Sequence, residues 1–469
     1  MPSNPISRGL GDYYSLRMRL PKTLPLLLLA MASLRAEAPS VTGTMPEDFL
    51  PGLGPLLKTA VEKSPNTILS NINVAQQEAQ RYVYASSLWP QLNGNANYSV
   101  IDESVTGGTP STQKGVFYNF TLNQPIFQWG ALKNNAAIGD LGVKIARRQF
   151  AEGYRLLAVE IRRQYMYLVG KQITLRNARF RQKIAEEGLK TDQAKFDSGS
   201  ASQAELQGFK LGLEQAQLDT DRAAEDFAYA KRVLTRLVGI DGLPDDSVPL
   251  EIGHPEFSPA LADAVLTGFV GGGVESAFQS QVYAMQIKQQ DLGYQIAKVR
   301  LLPKVNFTAS YLLEDNTQAF SGFVSQVAVR EETYSLGASW SIFDGFATRG
   351  AKLGALETKR QYERLRKNFV DNSIDQITDM RQQVGLSSRA LSLSEVHHAL
   401  IGAEVQRILD DVKLGYASQA TIDSSTQNLY QTDVELAGAR TDYFMQWSAF
   451  ISLAGIDPAL DNVSPRYVR

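Results

Sequence analysis

The chain has 469 residues, and its charge is balanced at 47 Lys+Arg against 49 Asp+Glu. No basic field is present to hold nucleic acid by counterion release. With no cysteine at all, a disulfide framework, a thiolate metal site, a Cys nucleophile and a lipid anchor on a Cys after a cleavage site are all excluded.

The N-terminal region reads as a secretory signal. Met18-Arg19-Leu20-Pro21-Lys22 is a short basic region, Leu24 to Leu34 an apolar core, and Ala36-Glu37-Ala38 an A-x-A cleavage site. Met18 is a candidate start, and residues 1–38 are assigned to an extension plus signal peptide, followed by a linker over 39–54. Beyond Ala38 no stretch approaches the ~18 apolar residues of a spanning helix. An exported chain of this kind crosses a membrane, if at all, as strands.

An internal repeat organises the rest. Pro90-Gln-Leu-Asn93 with Ala96 and Tyr98 recurs as Pro303-Lys-Val-Asn306 with Ala309 and Tyr311, at an offset of 213. Gln76-Gln77 and Gln289-Gln290 keep that spacing, and Pro125-Ile126-Phe127-Gln-Trp-Gly130 returns as Ile342-Phe343-Asp-Gly345. Gly199-Ser-Ala-Ser202 recurs as Gly415-Tyr-Ala-Ser418, and Gly239-Ile-Asp241 as Gly455-Ile-Asp457, both at 216. The repeats are placed at 55–240 and 261–456, with a proline-rich linker at 241–260 and a tail at 457–469. Each reads helix, strand, strand, long helix, turn, helix.

The strands alternate with period two. Leu92, Ala96, Tyr98 and Val100 oppose Asn93, Asn95, Asn97 and Ser99; Val116, Tyr118, Phe120 and Leu122 oppose Phe117, Asn119, Thr121 and Asn123. In the second repeat Val305, Phe307, Ala309, Tyr311 and Leu313 alternate with Asn306, Thr308 and Ser310, and Tyr334, Leu336, Ala338, Trp340 and Ile342 with Ser335, Gly337, Ser339 and Ser341. Alternation alone also suits a half-buried soluble sheet. The second face here is small and uncharged, a composition that suits a watery lumen opposite lipid. Glu103 to Gln113 and Glu314 to Glu332 read as polar hairpin loops.

Ala131 to about Phe196 and Phe346 to about Leu414 run without proline. At ~1.5 Å per residue each helix would be ~100 Å long. Ile422, Leu429, Leu436, Tyr443 and Phe450 lie seven apart, as do Leu206, Leu213, Phe227 and Leu234 around a break at Thr220. Such spacing keeps one seam against a partner helix.

Taken together, the duplication, the Pro90 and Pro303 helix-to-strand switches, the Ile126-Phe127 and Ile342-Phe343 strand ends and the Gly199 and Gly415 turns resemble the TolC-type outer membrane efflux protein family. The resemblance spans roughly Pro55 to Ile456. It implies an α+β membrane protein: a long antiparallel coiled-coil α-barrel, plus four strands per protomer contributing to a trimeric 12-stranded transmembrane β-barrel. The expected function is the exit duct of a tripartite efflux or type I secretion system in the outer membrane, with a large periplasmic portion. Partners would be two sister chains, a periplasmic adaptor, an inner-membrane pump of RND or ABC type, and lipid. Gly199, Ser200, Gly415 and Tyr416 would form the adaptor-facing tips. In the best-known member of the family two aspartates one helical turn apart, just after the second tip, ring the entrance; counting from Gly415, those positions here are Thr421 and Ser424. Asp423 is adjacent on another helical face, and Glu205 is the first-repeat equivalent of Thr421; threefold symmetry would turn either acid into a ring, and an ordinary solvated face is the alternative reading of each.

No HExxH, Walker A or G-x-S-x-G motif is present. No enzyme activity, cofactor or metal is expected. His397-His398 point ~100° apart on a helix, Glu331-Glu332 read as loop acids, and Gly271-Gly272-Gly273 as a flexible break or a close-packing point. The competing reading is a secreted structural or adhesive coiled-coil protein without channel activity.

Overall fold

The computed structural model describes residues 43–468, except 105, 108–109 and 321–322 and the side chains of Gln318 and Phe320. The chain divides into Met1–Ala38 and Pro39–Arg469. The signal segment, with the candidate start at Met18, lies outside the described residues.

Three N-terminal helices, α1 (Pro46–Phe49), α2 (Leu53–Lys63) and α3 (Pro65–Ser86), lead into β1 (Gln91–Glu103) and β2 (Ser111–Phe127). Helices α4 (Ala131–Asp197) and α5 (Gln203–Val238) complete the first repeat. A connector holds a 3-10 turn (Asp245–Ser247), α6 (Pro259–Gly268), a π-turn (Phe269–Gly273) and α7 (Val274–Ser276). The path then recurs as α8 (Phe278–Lys298), β3 (Lys304–Phe320), β4 (Phe323–Ser339), α9 (Ala347–Lys413) and α10 (Gln419–Leu453). A 3-10 turn (Pro458–Asn462) and α11 (Pro465–Val468) follow.

Pro90 and Pro303 stand just ahead of β1 and β3, where a proline disfavours helix in the residue before it. The glycine run is the π-turn itself, with Gly272 at φ 141°. Gly239 is required for space as well as conformation. Its φ is 83°, and a Cβ there would sit 2.0 Å from the Lys63 carbonyl at the α2–α3 junction.

Both α4 and α9 have 67 residues, about 100 Å each. Ile161, Leu168 and Leu175 form a buried seam on α4, and Ile377, Val384 and Leu391 form its counterpart on α9 at the 216-residue offset. On α10, Leu436, Tyr443 and Phe450 are buried, whereas Ile422 and Leu429 are half-buried. Packing therefore tightens away from the turn that precedes α10. Leu206, Phe227 and Leu234 of α5 are buried, with Leu213 and Thr220 half-buried between them.

The deepest core surrounds the middle of α4, where Arg162 sits with no exposure. Its guanidinium donates Nη1 to Asp457 Oδ2 and Nη2 to Asp457 Oδ1, both at 2.7 Å, and Nε to Glu47 Oε2 at 2.9 Å. Asp457 also accepts the Ala459 N–H at 2.9 Å and so starts the final 3-10 turn. Burial by itself would lower the Arg162 pKa; the hydrogen bonds and charge of Asp457 and Glu47 outweigh it and raise it further. Around this ion triad, Tyr154 donates to the Leu57 carbonyl at 2.9 Å, and Tyr467 of α11 stacks on Phe150 at 4.1 Å. Both ends of the described chain are thereby tied to one helix.

The strands overrun two expected loops. Glu314 to Glu332 is not a loop: β3 and β4 stay paired from Lys304↔Ser339 to Phe320↔Phe323. Glu331 and Glu332 are accordingly strand residues. The β1–β2 connection is also shorter than expected, since pairing persists to Glu103↔Ser111. At the opposite end β4 stops at Ser339, leaving Trp340 and Ile342 beyond it. Ladder hydrogen bonds come from the backbone, so polar side chains exposed on both faces do not end a hairpin.

Two outcomes are expected from the core. Arg162→Met strands two carboxylates and should destabilise the protein by ~3–5 kcal/mol, read as a shift in the denaturant midpoint. Burial raises the Tyr154 and Tyr443 phenols to about 12, against an unfolded value of about 10. Their contribution is whole below pH 10 and is lost as pH rises towards 12. The alkaline fall in stability should be shallower in a Tyr154→Phe/Tyr443→Phe variant; an identical pH profile would contradict it.

Candidate functional site

The four strands form one antiparallel sheet in the order β1-β2-β3-β4. Register places the apolar sets together: Leu92 pairs with Leu122, Leu122 with Ala309, and Ala309 with Tyr334. One step along, Phe120 pairs with Tyr311 and Phe307 with Leu336. The reverse face carries Asn93↔Thr121, Thr121↔Ser310 and Ser310↔Thr333 nearest the helices; farther along it is not uncharged, since Phe117 pairs with Glu314 and Leu312 with Glu331, and Ile101, Val327 and Val329 share that face. Nothing among the described residues covers the apolar face: Leu92, Tyr98, Tyr334 and Leu336 are 68–72% exposed. The outer edges of β1 and β4 have no partner strand within the described chain. Among the described helices, none is long and apolar enough to cross a membrane.

Sheet meets helix at two matched junctions that the sequence reading missed. Trp129 (φ 54°) and Gly130 (φ 83°) precede α4; Gly345 (φ 63°) and Phe346 (φ 68°) precede α9. Each junction uses two successive left-handed residues, one glycine and one aromatic, in opposite order. A non-glycine residue held there costs ~1–2 kcal/mol, offset by aromatic contacts. Trp129 meets Phe127 edge-on at 4.9 Å and donates its indole N–H to the Pro303 carbonyl at 2.7 Å. Phe346 meets Phe343 at 5.4 Å. The sequence signal was the aromatic-glycine pairing at the same 216-residue offset.

At the far ends of the long helices, both tips close by the same hydrogen-bond pattern. Ser200 N–H donates to the Lys195 carbonyl at 2.7 Å and Gly199 N–H to Phe196 at 2.9 Å; Tyr416 donates to Asp411 at 2.8 Å and Gly415 to Val412 at 2.9 Å. Gly199 (φ 78°) and Gly415 (φ 81°) take the left-handed position that terminates such helices. Ser200 and both glycines are exposed, and Tyr416 is 82% exposed.

The four entrance candidates divide by what holds them. Glu205 and Ser202 form a reciprocal cap at the start of α5, with Ser202 N–H donating to Glu205 Oε2 at 2.6 Å. That backbone hydrogen bond, with the Ser202 hydroxyl, keeps the exposed Glu205 carboxyl below the usual range. Thr421 takes the matching place at α10, its N–H donating to Ser418 Oγ at 3.3 Å. Asp423 accepts from Gln419 Nε2 at 3.0 Å. Ser424 opens into a groove between α4 and α10. No contact joins Glu205 to Asp423 among those described.

Each histidine faces a carboxylate on another element. His254 Nδ1 is 2.6 Å from Glu395 Oε1, His398 Nε2 is 2.6 Å from Asp433 Oδ1, and His397 Nδ1 is 3.7 Å from Glu435 Oε2. They fasten the connector to α9, and α9 to α10.

Residues 56–240 match the outer membrane efflux protein family. The chain also shares its fold with solved structures of low sequence identity. The Campylobacter jejuni CmeC outer membrane channel is 15% identical, with a TM-score of 0.67 over 96% of this chain and 98% of that one. The Neisseria gonorrhoeae MtrE outer membrane channel, in its open state, is 15% identical, with a TM-score of 0.60 over 89% and 94%. Vibrio cholerae VceC, an outer membrane protein, is 13% identical, with a TM-score of 0.62 over 88% and 99%. No curated protein sequence matches the chain.

The tip geometry carries a local prediction. Gly199→Ala and Gly415→Ala meet no neighbouring atom, so the left-handed backbone alone should cost ~1–2 kcal/mol. Hydrogen exchange at the ends of α4 and α9 should quicken, with no change at the Arg162 core. Unchanged tip exchange would contradict it.

Proposed function

From the premise that this chain is a TolC-like outer membrane efflux protein, carrying that family's domain at residues 56–240, we propose that three copies assemble into one export duct. Each contributes four strands to a twelve-stranded barrel and its long helices to a periplasmic tube. The observation that carries this reading is the uncovered apolar sheet face, backed by a small polar face and flanked by two open edges. In hydrocarbon no water satisfies an open strand edge, so the sheet must close on sister strands. Lipid then covers the apolar face, and water fills the lumen. A secreted coiled coil without channel activity leaves that face without a role.

Transport through such a duct is passive, and energy comes from an inner-membrane pump of RND or ABC type reached through a periplasmic adaptor. The tips at Gly199-Ser200 and Gly415-Tyr416 are the adaptor-facing surface. Their termini are closed by backbone hydrogen bonds, leaving Tyr416 82% exposed to meet a partner, while the exposed Ser200 hydroxyl lies 3.1 Å from Ser198 Oγ. At the entrance, Thr421 and Ser424 replace an acidic pair, which leaves Glu205 and Asp423 as the acids that threefold symmetry would multiply into rings.

The test is conductance of the detergent-purified protein in a planar bilayer, alongside its assembled mass. A trimer with discrete channels is expected. A monomer stable in plain buffer, with no channels, would overturn the proposal. In the conducting protein, Glu205→Gln or Asp423→Asn should lower the preference for cations. Unaltered reversal potentials in a salt gradient would remove both acids from the conduction path.

A further inference from the structure

Near the entrance end, α4 and α10 are clamped together. Arg176 is ion-paired with Asp433, and Phe180 meets Tyr430 edge-on at 4.7 Å. On the tip side of this clamp the two helices border a groove of roughly 510 Å³. Asn177 and Arg181 line it from α4; Ser424, Gln427, Asn428 and Gln431 line it from α10.

These side chains are all polar, and none of the six makes a hydrogen bond or ion pair with another described residue. Asn177 is only 3% exposed. Its Oδ1 and Arg181 Nε are both sealed from solvent without a partner. A buried polar atom left unmatched costs ~1–3 kcal/mol; an anion leaves the Asn177 Oδ1 acceptor unmatched, and what it can meet are the unpaired Asn177 amide N–H groups and the Arg181 guanidinium. The neighbouring Arg176 has its carboxylate, whereas Arg181 has none and no acid lines the groove.

We propose that this groove is a binding site for a small oxyanion, of the carboxylate, sulfate or phosphate type. The guanidinium of Arg181 presents a planar fork of donors matched to two oxygens of such a group. The Ser424 hydroxyl and the amides of Gln427, Asn428 and Gln431 supply further donors from the facing helix, and the Asn177 amide closes the floor. A bound anion would bridge α4 to α10 about 24 Å from the first tip, at 1.5 Å per residue. It would extend the Arg176–Asp433 clamp towards the entrance and oppose separation of the two helical hairpins.

The experiment is calorimetric titration of the full-length, detergent-purified protein with sodium sulfate, phosphate and acetate, each balanced with sodium chloride at constant ionic strength. Saturable binding of at least one anion is expected, and the preferred anion separates tetrahedral from carboxylate chemistry. Arg181→Gln should weaken binding by at least about tenfold. Arg179→Gln, an exposed arginine outside the groove, should not. Asn428→Asp should abolish binding by supplying Arg181 with a carboxylate of its own, while raising the thermal midpoint without added anion. Absence of saturable heat with all three anions, or equal binding by Arg181→Gln, would overturn the site. So would failure of Arg181→Gln to self-associate in the absence of any anion response, which would assign Arg181 to a contact between copies. Channel conductance is read separately, so loss of the anion site leaves the duct reading standing.

Discussion

Arg162 is the constraint on which the rest of the helical body depends. A guanidinium without exposure is tolerable only if each of its donors is met, and two carboxylates meet them from opposite ends of the chain. One is Glu47, just inside the N-terminal helices; the other is Asp457, at the close of the second repeat. Because both must reach the middle of α4, the terminal segments wrap the long helices at one level. Tyr154 and Tyr467 seal the same level with hydrogen bonds to Leu57 and Asn71. Above and below it the helices are held mainly by their heptad seams.

The duplicated backbone is used unequally, and the inequality lies in side chains. At the 216-residue offset, Ile161 and Ile377 are both fully buried seam residues, but the position after them is Arg162 in one repeat and Thr378 in the other. Asp457 is buried, whereas its counterpart Asp241 is exposed. The tips share one hydrogen-bond pattern but differ in their caps, with Glu205 charged and Thr421 neutral. A repeat of this kind can therefore double a scaffold and still place the buried Arg162 triad in one copy and not in the other.

The sheet answers to a different constraint. Its alternation sorts side chains to two faces, but no helix packs on either face to make a core. The aromatic junctions at Trp129 and Phe346 turn the chain from sheet to helix at a fixed level. Strain held there is offset by ring contacts and by the hydrogen bond from the Trp129 indole to Pro303.

Features set by short, regular spacing were legible in the sequence by itself. Period-two alternation identified the four strands and their apolar faces, and proline-free runs bounded α4 and α9 to within a residue or two. The seven-residue spacing identified the α5 and α10 seams, buried at Leu206, Phe227, Leu234, Leu436, Tyr443 and Phe450 but only half-buried at Leu213, Ile422 and Leu429, and Gly199 and Gly415 marked the left-handed turns. All of these follow from backbone geometry within a few residues of each position. Tertiary structure alone decided the rest. Arg162 finds its partners 115 and 295 residues away, a pairing no local pattern encodes. The strands ran on through Glu314 to Glu332 because pairing satisfies the backbone whatever the exposed side chains are. Arg181 was one arginine among many until folding set it beside Ser424 and Asn428 with no carboxylate in reach.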